Sequence, residues 1–171
     1  MAGVGIEIFT DLQVIAELQK KFPKSMTNLK QLNKGVIYGE ISNRDSLLKI
    51  CKYLKYKLNF RYPLDIAALD WPEHFELVYH IVSYENNNLI QLHLNLPKDD
   101  PEVMSMVRVW KGASCHEREA FDMMGIIFKT HPDLRRILLP EESPDDYFPL
   151  RKDFPLGGEK EGWSSTKPKK C

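Results

Sequence analysis

The strongest constraint on the fold is the strict alternation of apolar and polar side chains in residues 90–96. The apolar positions are Ile90, Leu92, Leu94 and Leu96. The polar positions between them are Gln91, His93 and Asn95. A period of two predicts a β-strand with one buried face and one wet face. Such a strand needs neighbours, so the chain must contain a sheet that covers an apolar core.

Four other segments are predicted to be strands that pair with this one or with each other. These segments are residues 26–32, 36–41, 63–69 and 76–84. Gly35 permits the tight turn between the first two, and the asparagines at 86–88 supply turn residues before the last strand. His80 and His93 lie on neighbouring predicted strands, but no third ligand accompanies them, so we expect no metal site there.

Two amphipathic helices are predicted in the first third of the chain. The first follows Thr10 as N-cap, ends before Pro23 and has apolar residues at helical spacing, namely Leu12, Ile15, Leu18 and Phe22. The second is predicted to be capped by Ser42 and has its lysines on the solvent side. Its apolar face consists of Leu47, Leu48, Cys51, Leu54 and Leu58.

Two more short helices are predicted after the sheet. Asp100 followed by Pro101 has the pattern of an N-cap and first turn, and Gly112 would end that helix. Ser114 and Glu117 have capping-box spacing, and Gly125 would end the second helix. The predicted fold class is α+β, an α-β-β-α-β-β-β mixed sheet with helices on one face, two further short helices and an extended C-terminal tail.

Prolines, glycines and charges dominate the sequence after Pro140, and the periodicity stops. We therefore predict a domain of residues 1–139 and an extended, partner-binding tail of residues 140–171. Tyr147, Phe148, Leu150 and Phe154 provide apolar anchors in the tail. We expect residues 140–154 to have few internal hydrogen bonds and to lie in a groove of a partner.

Charge and composition exclude several functional classes. The chain has 24 basic and 24 acidic side chains, so it lacks the overall positive charge of nucleic-acid binders and of proteins that bind anionic membranes. Its apolar runs are far shorter than the roughly 20 residues that cross a bilayer, and no leader pattern opens the sequence. We expect a location on the cytoplasmic side, or the equivalent matrix or stroma side, with membrane contact only through partners.

The three cysteines give no reason to expect an iron-sulfur cluster or a disulfide framework. Cys51, Cys115 and Cys171 are far apart and odd in number. We expect Cys51 and Cys115 to act as small hydrophobic residues on helices.

The sequence contains no recognisable active site. Residues 116–120 superficially resemble a zinc-protease helix, but Ala120 stands where the second histidine is required. The phosphate-binding loop, the dinucleotide-binding glycine pattern and the serine-hydrolase elbow are all missing. We therefore expect no catalytic residue, no cofactor and no metal in this chain.

Three blocks near the end of the predicted domain carry a family resemblance. They read EREAFDMMGI at 117–126, HPDLRRILLP at 131–140 and PLRKDFP at 149–155. In order and spacing they are similar to the C subunit of NADH-quinone oxidoreductase, the 30 kDa-type subunit of respiratory complex I and NDH-1, also found in related membrane-bound hydrogenases. The resemblance extends from about the first helix to Pro155. The first hundred residues match only in the order of predicted elements.

The resemblance implies a peripheral-arm subunit that binds no flavin, cluster or quinone. It implies a large partner related to hydrogenase catalytic subunits (the D-type component), a small iron-sulfur partner (the B-type component) and other hydrophilic-arm subunits. Iron-sulfur clusters and quinone, or nickel-iron, would then reside in those partners.

Charged residues in the three blocks are the predicted contacts with partners. Arg118 and Asp122 are four residues apart on a helix and are expected to pair. Arg135, Arg136, Arg151 and Lys152 are too many for local partners, and arginine suits carboxylates on another subunit. The predicted partner-binding residues are Glu117, Arg118, Glu119, Asp122, His131, Arg135, Arg136, Tyr147, Phe148, Leu150, Arg151, Lys152, Asp153 and Phe154. We expect His131 to be a turn residue rather than a proton carrier.

Three functions remain open at the level of sequence. The first is a non-catalytic subunit that holds the large and small subunits of a proton-pumping NADH, or related donor, quinone oxidoreductase in place. The second is the equivalent subunit of a membrane-bound hydrogenase or ferredoxin-linked complex. The third is a stand-alone protein-binding module.

Overall fold

The computed structural model describes residues 8–155, so the predicted tail beyond Pro155 lies outside the described residues. The helices are α1 (Asp11–Lys21), α2 (Leu47–Lys57) and α3 (Ala113–Met124). The strands are β1 (Met26–Asn33), β2 (Val36–Ile41), β3 (Tyr62–Asp70), β4 (His74–Ser83), β5 (Asn88–Pro97), β6 (Glu102–Met104) and β7 (Ile127–Lys129). The predicted α+β class and the α-β-β-α-β-β-β order are confirmed.

The main sheet has five strands in the order β1-β2-β5-β4-β3. β3, β4 and β5 form an antiparallel meander, whereas β2 pairs with β5 in parallel. The alternation predicted for residues 90–96 holds, because Ile90, Leu92, Leu94 and Leu96 are buried. α1 and α2 pack with these side chains into one core, and the ring of Phe22 meets that of Tyr53 at 5.6 Å between centroids.

The ends of the first two helices show which capping predictions hold. Thr10 caps α1 with a complete capping box to Gln13, as predicted for Thr10. Ser42 is not the cap of α2, because its hydroxyl is directed to Thr27. Asn43 instead caps a short 3-10 turn that leads into α2.

The helix predicted from Asp100 is wrong. Residues 102–104 form β6, which pairs in parallel with β7. The Arg44 guanidinium donates to the carbonyl oxygens of Asp100 and Glu102 and pairs with the Asp100 carboxylate. Arg44 therefore occupies both carbonyl oxygens and the Asp100 carboxylate that was expected to cap the helix. None of these groups is free to start a helix. Val103, Met106 and Trp110 of this segment are buried all the same.

α3 runs beside β3, the edge strand of the main sheet. It ends at Gly125, as predicted, in a left-handed conformation with φ +71°. The Ser114–Glu117 capping box is absent, because α3 starts after Gly112 without a side-chain cap and Glu117 points inward. Cys51 is buried in the core as expected, whereas Cys115 on α3 is exposed.

Candidate functional site

The three sequence blocks that carry the family resemblance meet at one end of α3. The first block is α3 itself, and the second is the loop after β7. The third belongs to the segment that returns across the end of the helix. We call residues 135–139 the apical loop and residues 140–155 the strap.

The apical loop is organised by Asp122, whose side chain is fully buried. Its Oδ2 accepts the backbone N–H groups of three consecutive residues, Ile137 (3.0 Å), Leu138 (2.8 Å) and Leu139 (2.9 Å). Its Oδ1 accepts a hydrogen bond from the Arg136 guanidinium at 2.8 Å. Burial by itself raises the pKa of Asp122, but the three N–H groups and Arg136 outweigh it and hold the pKa below its ordinary value.

Arg118 holds the apical loop through the carbonyl oxygens of the loop. Its guanidinium donates to the carbonyl oxygens of Arg135 at 3.0 Å and Arg136 at 2.7 Å. The predicted pair between Arg118 and Asp122 is therefore wrong, since the loop backbone occupies both side chains. Helix spacing alone could not reveal this competitor.

With its backbone held on both sides, the apical loop directs the side chains of Arg135, Ile137 and Leu138 outward, whereas Arg136 turns inward to Asp122. Leu138 is 59% exposed and Ile137 is 37% exposed. The side chain of Arg135 is 64% exposed and pairs with Asp133 beside it. These residues form an apolar and cationic surface on a rigid support.

Arg136 and Arg151 have partners within the chain, contrary to the prediction that these arginines exceed their local partners. Arg136 also donates to the carbonyl oxygen of Pro144 at 2.6 Å. The Arg151 Nε donates to the carbonyl oxygen of Met124 at 2.7 Å. Its guanidinium carbon lies 4.3 Å from the ring centroid of Phe148.

The strap is attached to the folded part at its far end as well. Leu150 donates its backbone N–H to the carbonyl oxygen of Met123, and Lys152 donates its backbone N–H to Asp70 Oδ2 at 2.7 Å. Asp70 is nearly buried and also pairs with Lys98 at 2.5 Å. The expectation of few internal hydrogen bonds in residues 140–154 is wrong, because carbonyl oxygens at the end of α3 and the buried Asp70 carboxylate bind this segment.

Glu117 is fully buried, so the structure gives it an internal role in place of the predicted partner contact. It accepts hydrogen bonds from the Ser105 hydroxyl and from the Met106 backbone N–H, each at 2.6 Å. Burial raises the pKa of Glu117 to about 7 against these two hydrogen bonds. The buried Asp122 is likewise an internal anchor and not a surface contact.

His131 has the geometry of a turn residue, as predicted. Its Nδ1 accepts the backbone N–H of Asp133 at 3.0 Å, and its Nε2 lies 3.2 Å from the Ser114 hydroxyl. Burial lowers the pKa of His131, which favours the neutral ring with its proton on Nε2.

The remaining predicted contacts lie around the strap. Glu119 and Leu150 border a groove of about 210 Å³ between α3 and β3. Lys152 and Asp153 are exposed. Tyr147 and Phe154 pack edge to face at 4.9 Å between ring centroids.

Asp70 and Ser105 also belong to the site, although neither was predicted from the sequence. Asp70 ends an apolar strand and shows no local pattern that links it to a segment about eighty residues away. Ser105 follows β6, which was itself predicted as a helix. Gly125, in contrast, was recognised as a helix end, and that left-handed residue is where the strap crosses α3.

Within residues 8–155, no group of three His, Cys, Asp or Glu side chains is arranged to hold a metal ion. His93 instead contacts Glu76 at 2.6 Å, and His80 is paired with Gln91 in the sheet. No helix in the same residues is long and apolar enough to span a bilayer.

Comparison with known proteins identifies relatives over most of the chain. The family described as the 30 Kd subunit of respiratory-chain NADH dehydrogenase matches residues 41–160. The C subunit of the NADH-quinone oxidoreductase of Moorella thermoacetica is 41% identical over 85% of this chain and 97% of its own length. The C subunit of the F(420)H(2) dehydrogenase of Methanosarcina mazei is 34% identical over 82% of this chain and 89% of its own length.

Solved structures agree with this relationship. A trypsin-resistant fragment of Nqo5 is 25% identical, with a TM-score of 0.62 over 72% of this chain and 99% of the fragment. The membrane-bound sulfane sulfur reductase, an archaeal respiratory membrane complex, contains a chain with the same fold, with a TM-score of 0.71 at 22% identity over 85% of both chains. The chain therefore belongs to the family of the 30 kDa subunit of respiratory-chain NADH dehydrogenase, whose members are subunits of complex I-type oxidoreductase complexes.

Proposed function

We propose that this chain is a non-catalytic peripheral-arm subunit of a complex I-type NADH, or related donor, quinone oxidoreductase. It holds the D-type large subunit and the cluster-bearing B-type small subunit in place during electron transfer coupled to ion pumping. It contributes no active site and no cofactor, while iron-sulfur clusters and quinone reside in the partners. It lies on the cytoplasmic side, or the equivalent matrix or stroma side, and reaches the membrane through those partners.

The observation that carries this proposal is the internal support of the apical loop. A fully buried carboxylate holds three consecutive N–H groups, and an arginine holds two carbonyl oxygens, so that Leu138 and Arg135 project outward. Pre-ordering of this kind lowers the conformational entropy lost on binding. An exposed leucine beside an exposed arginine suits a partner surface with an apolar pocket and a carboxylate.

The electron donor is the part of the proposal on which the relatives differ. One relative is named as a subunit of an NADH-quinone oxidoreductase and another as a subunit of an F(420)H(2) dehydrogenase. A subunit that only holds its neighbours is compatible with either donor, because the donor chemistry belongs to other chains.

Substitution of Leu138 by Asp together with Arg135 by Glu tests this function. Both side chains are exposed, so the isolated variant should keep the wild-type circular dichroism and thermal midpoint. Loss of an apolar anchor worth about 1.5 to 3 kcal/mol should weaken incorporation into the complex by about tenfold or more. Incorporation is measured by native gel and mass spectrometry of solubilised membranes.

The matched control is Leu32 to Asp, an exposed leucine (44%) on the edge strand β1. It should enter the complex like the wild type. Normal assembly of the Leu138 and Arg135 variant would contradict the proposal, as would stoichiometric iron, flavin or nickel in the purified chain.

A further inference from the structure

The neutral total charge of the chain conceals a strong separation of charge along the sequence. Residues 20–57 contain ten Lys or Arg side chains and two Asp or Glu, a local charge of +8. Residues 62–105 contain eight Asp or Glu and one Lys, a local charge of −7. The fold keeps the first segment together, because α1 and α2 pack side by side through Phe22 and Tyr53.

Six lysines lie on these two helices or directly after α1, and we call them the lysine face. They are Lys20, Lys21, Lys24, Lys49, Lys52 and Lys57. All of them are exposed. Tyr56, which is 65% exposed, lies on α2 among them.

Residues 11–57 contain four carboxylates against ten basic side chains, so the lysine face keeps a positive net charge. Glu40 lies on the sheet, where it accepts hydrogen bonds from Tyr38 and Asn28. Asp45 is in the 3-10 turn before α2. The nearby Glu17 of α1 accepts a hydrogen bond from the Tyr53 hydroxyl at 3.0 Å.

Helix electrostatics explain only part of this arrangement. Lys20, Lys21 and Lys57 lie in the last turns of their helices, where cations are favourable. Lys24 lies beyond the end of α1. Lys49 lies in the first turn of α2 and Lys52 at its middle, where positive charge gains nothing from the helix dipole. Lys55, by contrast, donates to the carbonyl oxygen of Val109 and serves the fold.

We propose that the lysine face is a second docking surface, which binds an acidic surface of another protein subunit. Flexible ammonium groups suit several spread carboxylates without a fixed bidentate geometry. A concentrated positive field also steers an acidic partner into register and rejects basic ones. The exposed Tyr56 ring supplies an amphipathic contact within the face. This surface is separate from the apical loop and goes beyond the contact proposed there.

Lysine reactivity in the native complex tests the proposal directly. The acetylation rate of each lysine is measured by mass spectrometry in the purified chain and in the detergent-solubilised complex. The lysine face should react at least about fivefold more slowly in the complex, because an interface excludes the reagent. Lys111, an exposed lysine outside α1 and α2, is the internal reference. Carbodiimide treatment of the complex should then join these lysines to Asp or Glu of another subunit through amide bonds, with loss of water.

A charge-reversal pair provides an independent measurement. Lys24→Glu with Lys52→Glu should lower incorporation into the complex. Added salt should weaken incorporation of the wild type more than that of the variant, because fewer attractive charges remain to be screened in the variant. Arg108→Glu with Lys111→Glu makes the same change in net charge at exposed positions outside the helix pair and should leave incorporation unchanged. Circular dichroism of both variants separates binding from folding.

Three outcomes would overturn the proposal. The first is equal acetylation of the lysine face in the free chain and the complex. The second is protection with cross-links only within the chain. The third is protection in native membranes that disappears in detergent, which would assign the face to anionic lipid instead. All three readouts concern the lysines themselves, so they are independent of the Leu138 and Arg135 test.

Discussion

At the scale of single residues, Asp122 is the side chain on which the apical loop most depends. Asp122→Ala leaves three N–H groups and Arg136 without their acceptor, and removal of one partner from a buried pair costs about 3 to 5 kcal/mol. We expect a loss of this size in urea unfolding of the isolated chain. Asp133→Asn, at an exposed carboxylate, is the control and should change the free energy of unfolding by less than about 0.5 kcal/mol.

The lowered pKa of Asp122 sets the pH range in which this contribution acts. Because the folded pKa lies below the ordinary value of 3.8, the stabilisation is present above that value and is lost as the pH falls through the folded pKa. The wild type should thus lose its advantage over Asp122→Asn in acid. A constant difference between the two proteins from neutral pH to strong acid would contradict the assigned role.

Glu117 should affect stability in the opposite direction. Its pKa is raised from 4.5 to about 7 in the folded chain. The stability that Glu117 contributes is therefore fully present below pH 4.5 and is lost as the pH rises through about 7. The free energy of unfolding should fall by roughly 3 kcal/mol between pH 4.5 and pH values at and above neutral. Glu117→Gln should flatten the stability profile between these values, as measured by urea unfolding at a series of pH values. Glu119→Gln, at the exposed neighbour on α3, should keep the wild-type slope.

At the scale of elements, the junction between α3 and the strap depends on Gly125. A Cβ there would lie 2.6 Å from Phe148 Cζ and 2.6 Å from Arg151 Nη2, at a φ of +71° that disfavours side chains. Gly125→Ala should therefore destabilise the chain by about 1 to 3 kcal/mol and speed amide exchange at Leu150 and Lys152.

Gly112, the residue before α3, provides the matched control for this element. Its φ is −64°, and a Cβ would lie 3.7 Å from Pro63, which is ordinary contact. Gly112→Ala should leave both stability and strap exchange near the wild-type values. If the two alanine variants behaved alike, the strap would not depend on close approach at Gly125.

The elements also show how far sequence reasoning reaches. The alternation in residues 90–96, the turn at Gly35 and the helix end at Gly125 were predicted correctly, because each depends on neighbours in sequence. The conformation of residues 100–110 was not, since Arg44, more than fifty residues away, binds the carbonyl oxygens that a helix would use. For the same reason the chain's own partners of Arg118, Arg136 and Lys152 could not be foreseen. Arg118 and Arg136 donate to backbone carbonyl oxygens, and Lys152 donates its own backbone N–H. Almost every residue carries these backbone groups, so no sequence pattern marks the ones that are used.

At the scale of the whole molecule, the strap should behave as part of the chain's own fold. Its hydrogen bonds to Met123, Met124 and Asp70 are internal, so the amides of Leu150 and Lys152 should be protected in the isolated subunit. Hydrogen exchange with mass spectrometry measures this protection. Exchange at the unprotected rate in the free chain, with protection only in the complex, would instead mean that a partner orders the strap, as its prolines alone would predict.

The parallel pairing of β2 with β5 has a consequence for the order of events during synthesis. The register of Ile37 opposite Ile90 joins residues separated by about fifty positions, whereas β3, β4 and β5 pair with immediate neighbours. A chain emerging from the ribosome thus releases α1 and the β1–β2 hairpin long before the strand that completes the sheet. The meander can form only after β5 has been made, and the hairpin must then close onto its edge, a non-local step that is slow compared with hairpin formation. The edge of β2 that pairs with β5 has no partner in the meantime. We expect this interval to be when the newborn subunit is most prone to aggregation, because an unpaired strand edge can pair with another chain.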